Sequence, residues 1–122
     1  MTEQAADGWT VEAYERVRGG FPVVGFLDSL DGRNAREAAA RIAALTARGN
    51  QMRAPDSRFV EGQRNLLELR GHQVRIFYMF LPGRRIVLLD GVIKKQDRIP
   101  PKDLARILQY QADVDRRGPR AP

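Results

Sequence analysis

Basic side chains stand close to the ends of three strand-like segments in the second half of this 122-residue chain. Arg70 and Arg75 lie on either side of Gly71-His72-Gln73, a sequence typical of a tight turn. If the flanking strands pair across this turn, two guanidinium groups converge, and their planar forks match the oxygens of a phosphate. The sequence therefore predicts a phosphate slot, unless Glu68 or Asp90 pairs with one arginine as an ordinary structural ion pair.

The three lysines of the chain all lie between residues 94 and 102. Lys94 and Lys95 end the third strand-like segment, and successive strand residues point to opposite faces of a sheet. Only one of the two can therefore join the arginines, and both stay candidates because the sequence leaves the register open. Four further cations are candidates for contacts with the phosphates of a nucleic acid: Arg84, Arg85, Arg98 and Lys102.

The net charge of +6 is unevenly distributed along the chain. Residues 1–31 carry two basic and six acidic groups, whereas residues 32–122 carry nineteen basic and nine acidic groups. So large a positive excess favours a polyanionic partner, because each cation placed near a phosphate releases condensed counterions. Codon bias towards arginine and solvated helix faces account for part of the same excess.

Several classes of chemistry are excluded by the residues that are missing. Cysteine is absent and His72 is the single histidine, which excludes disulfides, thiol nucleophiles, thiolate zinc sites and any site needing two imidazoles. His72 itself is interpreted as a surface residue of a polar turn. Because the acidic residues form no ligand grouping except Asp113-Val114-Asp115, we expect no metal and no cofactor. The apolar runs are too short to span a membrane, and Met1 to Gly8 lacks signal-peptide character, so we expect a cytoplasmic protein.

The first half of the chain predicts one strand followed by a helical hairpin. Trp9 to Tyr14 alternates apolar and polar residues, as a half-buried strand does. Pro22 suits the first turn of a helix, and apolar residues then recur with helical spacing until Asp31-Gly32. A second, alanine-rich helix is predicted from Arg33 to Arg48. The short joint between the two helices makes them antiparallel neighbours.

The second half predicts a small antiparallel sheet and a last helix. Residues 51–65 lack periodicity and are interpreted as a loop, long enough to contain a function or a short unrecognised element. Three segments rich in branched and aromatic residues follow, separated by tight turns. They are residues 66–70, 74–81 and 85–93. A helix is predicted after Ile99-Pro100-Pro101. One domain at residues 9–115 is expected, between a flexible N-terminus (1–8) and a disordered basic tail (116–122).

Three stretches together resemble the phage-derived HigB-like branch of the RelE/ParE toxin superfamily. They are Leu69-Arg70, Val74-Arg75-Ile76-Phe77-Tyr78 and Gly91-Val92-Ile93-Lys94-Lys95-Gln96, with Pro100 a few residues further on. Phe26 to Leu30 also resembles the first helix of that branch. The resemblance covers about Trp9 to Asp113, which is nearly the whole domain.

The resemblance implies an α+β fold with a small antiparallel sheet of three or four strands packed against an N-terminal helical hairpin, followed by a C-terminal helix. It also implies a type II toxin that cleaves ribosome-bound mRNA without a metal, by attack of the RNA 2′-OH on the adjacent phosphate. A small antitoxin with a helix-turn-helix DNA-binding fold would neutralise it. Arg70, Arg75, Lys94 and Lys95 match the cations of the family's catalytic site.

One departure from the family pattern concerns proton transfer, because no histidine-rich C-terminal segment or clear general base is present. RNA carries its own nucleophile, so orientation and charge stabilisation can supply much of the catalysis, and a lysine among the arginines could transfer a proton. Two alternatives stay open: a non-enzymatic toxin of the same fold that inhibits DNA gyrase, and an inactive RNA-binding regulator. The clustering of cations favours the endoribonuclease over these alternatives, because a protein that only binds another protein does not need such a cluster.

Overall fold

The structure, a computed structural model, describes residues 2–4 and 8–117. Within these residues the strands are β1 (Thr2–Gln4), β2 (Thr10–Ala13), β3 (Ser57–Phe59), β4 (Leu67–Gly71), β5 (Val74–Leu81) and β6 (Arg85–Ile93). The helices are α1 (Pro22–Asp28), α2 (Gly32–Arg48) and α3 (Pro101–Arg117), and a 3-10 turn spans Gly49–Gln51. The two predicted N-terminal helices, the three strands predicted in the second half of the chain and the last helix are all present.

Local sequence signals fix the ends of the two N-terminal helices. Pro22 occupies the first turn of α1, where its missing N–H would have no helical partner. Asp31 caps α2, because its carboxylate accepts a hydrogen bond of 2.9 Å from the backbone N–H of Asn34. The helix ends at Gly49, whose φ of 53° lies in the left-handed region that glycine adopts readily.

The described strands form one six-stranded sheet in the order β1-β2-β6-β5-β4-β3. Strands β4, β5 and β6 form the predicted antiparallel meander, and the α+β class is confirmed. The sheet is larger than the expected three or four strands, and it is mixed, since β2 pairs parallel to β6. Strand β1 lies within the segment 1–8 expected to be flexible, and β3 is a short element within the predicted loop.

Helices cover both faces of the sheet. Alternation along Val74–Phe80 predicts two opposite faces, and the structure confirms this division. The face that carries Ile76 packs against α1 and α2, whereas the face that carries Phe77 packs against α3 through Ile107. α3 extends to Arg117 and so includes the first two residues of the predicted tail, while residues 118–122 lie outside the described part. Among the helices described here, none is long and apolar enough to span a membrane.

Candidate functional site: an arginine–glutamate cluster in a basic cleft

The tight turn between β4 and β5 brings Arg70 and Arg75 directly opposite each other. The register pairs Arg70 with Arg75 and Glu68 with Phe77, so all four side chains belong to the face that also carries α3. His72 lies in the turn, is exposed, and has a φ of 53°. The predicted convergence of the two arginines across this turn is therefore confirmed.

A buried glutamate lies between the converging arginines. Glu68 is only 4% exposed, and its Oε1 atom is 3.2 Å from Nε of Arg70 and 3.3 Å from Nε of Arg75. A third cation arrives from the neighbouring strand β3, where Nε of Arg58 lies 3.9 Å from the same oxygen. The structural ion pair considered for Glu68 thus exists, but one carboxylate faces three guanidinium groups, and the cluster keeps a positive excess.

Arg75 is the most buried cation of the cluster. Its side chain is 10% exposed, and its Nη1 donates hydrogen bonds to the carbonyls of His72 at 2.9 Å and Val74 at 2.8 Å. Burial, reinforced by the charge of Arg70, lowers the pKa of the Arg75 guanidinium from its ordinary value. The side chains of Arg70 and Arg58 are 26% and 51% exposed, so they are better placed to meet a ligand.

The cluster lies in a cleft of about 630 Å³ at the C-terminal end of β6. Phe77 and Val92 belong to the sheet side of the cleft, the loop after β6 forms another side, and α1 contributes Phe26. The Phe26 ring lies so close to the backbone of Gly91 that a Cβ there would stand 2.3 Å from it. Asp90 does not contact Arg70 or Arg75, because its Oδ2 accepts a hydrogen bond of 3.0 Å from Nε of Arg106 on α3.

The predicted cations after β6 also line this cleft. Val92 pairs with Arg75, which places the face of β6 that leads towards Lys94 on the arginine side. The backbone N–H of Lys94 donates to the carbonyl of Gln73 at 2.7 Å, and its Nζ is 3.6 Å from Asp97. Lys95 and Arg98 line the cleft as well and are exposed. Both lysines thus line the cleft, so the expectation that only one of them could join the arginines is wrong. The strand ends at Ile93, and beyond it strand alternation no longer directs the two side chains to opposite faces.

Three predicted RNA-binding residues lie outside the cleft. Lys102 is exposed in the first turn of α3 and does not line the cleft. Arg84 is the last residue of the β5–β6 turn and Arg85 is the first residue of β6, so both lie at the end of β5 opposite to Arg75. The Arg84 guanidinium lies 5.6 Å from the Trp9 ring centroid, and Arg85 forms a two-pronged ion pair with Glu12 at 2.7 and 3.1 Å. The hydrogen bonds to Glu12 raise the pKa of Arg85.

Two members of the cluster were missed as functional candidates by sequence reasoning. Glu68 was considered only as a structural partner, although it precedes Arg70 by two residues and strand alternation places both on one face. Arg58 gave no usable signal, because β3 is too short to show a period. Within the described residues, no group of three histidine, cysteine or acidic side chains is arranged to hold a metal ion.

Comparison with known proteins matches a family profile to the part of the chain that contains the cleft. Residues 25–111 match the profile of the family described as phage-derived protein Gp49-like (DUF891). The chain belongs to the Gp49-like family. This family is of the toxin–antitoxin type and is related to RelE and HigB-like toxins. The match runs from α1 into α3, so it contains every residue that lines the cleft. No curated protein matches the chain.

Proposed function

We propose that this Gp49-like protein is the toxin of a type II toxin–antitoxin system, in the HigB-like branch of the RelE/ParE superfamily, and that it cleaves ribosome-bound mRNA in the cytoplasm. The observation that carries the proposal is Glu68, a buried carboxylate held by Arg58, Arg70 and Arg75 at an open basic cleft. The family match supports the toxin, and the chemistry of this cluster supports the nuclease.

In the proposed reaction the RNA supplies its own nucleophile. Glu68 accepts the proton of a ribose 2′-OH, and the 2′-oxygen forms a bond to the adjacent phosphorus. The bond from phosphorus to the 5′-oxygen of the next nucleotide breaks, which leaves a 2′,3′-cyclic phosphate and a 5′-hydroxyl. The leaving oxygen takes a proton from Lys95, which lies at the exposed side of the same cleft.

The arginines have different parts in this scheme. Arg70 and Arg58 are exposed enough to hold the non-bridging phosphate oxygens, whose negative charge grows in the transition state. Arg75 is tied to two backbone carbonyls and to Glu68, so it acts mainly by positioning the carboxylate. Lys94 and Arg98 extend the cationic surface along the cleft and guide the RNA chain into it.

In this scheme the Glu68 carboxylate takes the role of the general base, for which the sequence offers no clear histidine. A carboxylate can accept the proton because the phosphate is held next to it and the guanidinium groups offset the charge that develops. The positive excess beyond residue 31 also fits an antitoxin with an acidic segment, which would cover the cleft and neutralise its field.

The test is cleavage of end-labelled mRNA by the purified protein, with and without ribosomes and in the presence of a chelator. Glu68→Gln is expected to lower kcat about 10²- to 10⁴-fold, as removal of a general base does. Asp97→Asn is the matched control, because Asp97 is a fully exposed carboxylate at the same cleft and should leave kcat unchanged. A 2′-deoxy nucleotide at the cut site should block cleavage.

Two results would contradict the proposal. Products that lack a cyclic phosphate, or cleavage that persists at a 2′-deoxy position, would exclude attack by the 2′-OH. A wild-type protein that leaves mRNA intact but prevents supercoiling by DNA gyrase would identify the gyrase-directed alternative instead.

A further inference from the structure

A second pocket lies beside the edge strand β3, on the face of the sheet opposite to the Glu68 cluster. Its volume is about 360 Å³, and Met52, Leu67, Phe59 and Phe80 supply apolar walls. Phe59 pairs with Leu67 and Ser57 pairs with Leu69 in the β3–β4 register, so both point towards the α1–α2 side. A pocket of this size and lining suits one flat, largely apolar ring system.

Two hydroxyl groups line the same pocket. The Ser57 and Tyr78 hydroxyls are hydrogen-bonded to each other, and both residues are buried. Burial raises the pKa of Tyr78, so its hydroxyl stays protonated at neutral pH. One hydroxyl hydrogen suffices for the mutual bond, so the pair has a second hydroxyl hydrogen that this bond does not use. The pocket thus combines apolar walls with a polar group.

The rim of the pocket is basic. Arg53 and Arg58 line it and are exposed, and no aspartate or glutamate is among its described lining residues. Arg58 also lines the cleft that holds Glu68, so this one side chain belongs to both cavities. A polyanionic chain that leaves the cleft over the edge of the sheet therefore meets Arg58 and then Phe59.

Phe59 is unusual among the described apolar residues. It is 66% exposed, and Val17 is the other large apolar side chain with comparable exposure, at 78%. An exposed aromatic ring next to cations is the arrangement with which proteins bind single-stranded nucleic acid, because bases stack on the ring while cations hold the backbone. Val17 lines neither of the two cavities and supplies a natural control.

We propose that this pocket binds the base of a nucleotide that flanks the scissile phosphate, with Phe59 as its stacking platform and Arg58 and Arg53 on its phosphates. The inference rests on the proposed function, since it takes the cleft as the place where RNA is cut. An apolar side chain of a protein partner would fit the same walls, but the basic rim and the arginine shared with the cleft favour RNA.

The experiment measures binding of a fluorescein-labelled 2′-O-methyl hexaribonucleotide, which cannot be cut because its 2′-oxygens are blocked. Phe59→Ala should weaken binding about 5- to 160-fold, the range found for loss of one base–aromatic stack. Phe59→Tyr should restore binding, Phe59→Leu should not, and Val17→Ala should have no effect. Because the Phe59 side chain is two-thirds exposed, we expect each variant to stay folded. Thermal melting checks this expectation.

A second readout reports the stacking itself. Hexanucleotides with 2-aminopurine at each position in turn should show one position at which wild-type protein quenches the base fluorescence and Phe59→Ala does not. Phe59→Ala should also raise KM for a cleavable RNA more than it lowers kcat, because the residue does not touch the reacting atoms.

The outcomes separate this inference from the proposed function. Equal binding by wild type, Phe59→Ala and Val17→Ala, with cleavage intact, would overturn the base pocket and leave the nuclease standing. Loss of binding to an antitoxin in Phe59→Ala, with RNA binding unchanged, would also overturn it and assign the pocket to a protein partner. Failure of the wild-type protein to bind or cut RNA would remove both proposals.

Discussion

The Arg75 guanidinium has contacts that are structural as well as electrostatic, so Arg75→Ala is expected to lower the free energy of unfolding. The variant loses hydrogen bonds to the carbonyls of His72 and Val74 and the contact with Glu68, all at 3.3 Å or less. Removing one partner of a buried ion pair typically costs about 3–5 kcal/mol, because the other charge is left without compensation.

The neighbouring cations reduce this cost. In the variant, Glu68 still has the guanidinium groups of Arg70 at 3.2 Å and Arg58 at 3.9 Å, so its negative charge remains compensated. The variant also removes the like-charge repulsion between Arg75 and Arg70, which, after burial, is the next cause of the lowered pKa of Arg75 in the wild type. We therefore expect a loss of about 2–4 kcal/mol, within a total stability of about 5–15 kcal/mol. The variant should remain folded at room temperature.

Urea denaturation at neutral pH measures the effect, and Arg58→Ala is the matched control. The Arg58 side chain is 51% exposed and its contact with Glu68 is long, so its removal should cost less than about 1 kcal/mol. Nuclease activity should fall in both variants, but only Arg75→Ala should lose substantial stability. Equal stability of Arg75→Ala and the wild type would refute the positioning role and return Arg75 to the phosphate-binding surface.

Three further predictions follow from single contacts. Gly91→Ala should destabilise the protein by about 1–3 kcal/mol in urea denaturation, because the new Cβ would overlap the Phe26 ring; unchanged stability would show that the ring moves freely. Lys95→Ala should reduce the slope of log binding constant against log salt concentration by somewhat under one unit, and an unchanged slope would mean that Lys95 does not contact phosphate. Burial and a hydrogen bond to Asp113 raise the pKa of Tyr14 to about 12, so folding stability should fall as pH rises from about 10, the unfolded pKa, through 12. Absorbance titrations of the tyrosine phenolates in the wild type and in Tyr14→Phe check this, and identical curves above a pH of about 10 would contradict it.

The family relationship and the local elements were accessible from the sequence. Helix ends at Pro22 and Asp31 and the turn at Gly71-His72-Gln73 depend on residues close in the chain, so short patterns predict them. The pairing of Arg70 with Arg75 can also be predicted from nearby residues, because a tight turn between two strands sets their register. The predicted meander also implies that Arg84 and Arg85 lie at the end of β5 opposite to Arg75, because the β5–β6 turn separates them from that arginine by the length of the strand.

The composition of the site was decided by tertiary structure. Arg58 reaches Glu68 because β3 pairs with β4, and three residues of an edge strand carry no period that a sequence can show. Asp90 is diverted from the arginines because α3 packs across the sheet and brings Arg106 to it. The parallel pairing of β2 with β6 likewise joins segments about seventy-five residues apart.

The physical reason is the range of the forces that select each feature. Helix capping, turn geometry and strand alternation act between neighbours along the chain, so the sequence alone determined the three helices, the strands of the meander and the pairing of Arg70 with Arg75. The short strands β1 and β3 depend on pairing with other segments and were not predicted. The partners of a buried carboxylate depend on how segments distant in the sequence pack together. A buried charge without a partner is costly, so each buried carboxylate pairs with the cations that packing brings to it. Arg70, Arg75, Lys94 and Lys95 could therefore be read from the sequence, whereas the contribution of Arg58, the position of Glu68 among the arginines and the pairing of Asp90 with Arg106 depend on the fold.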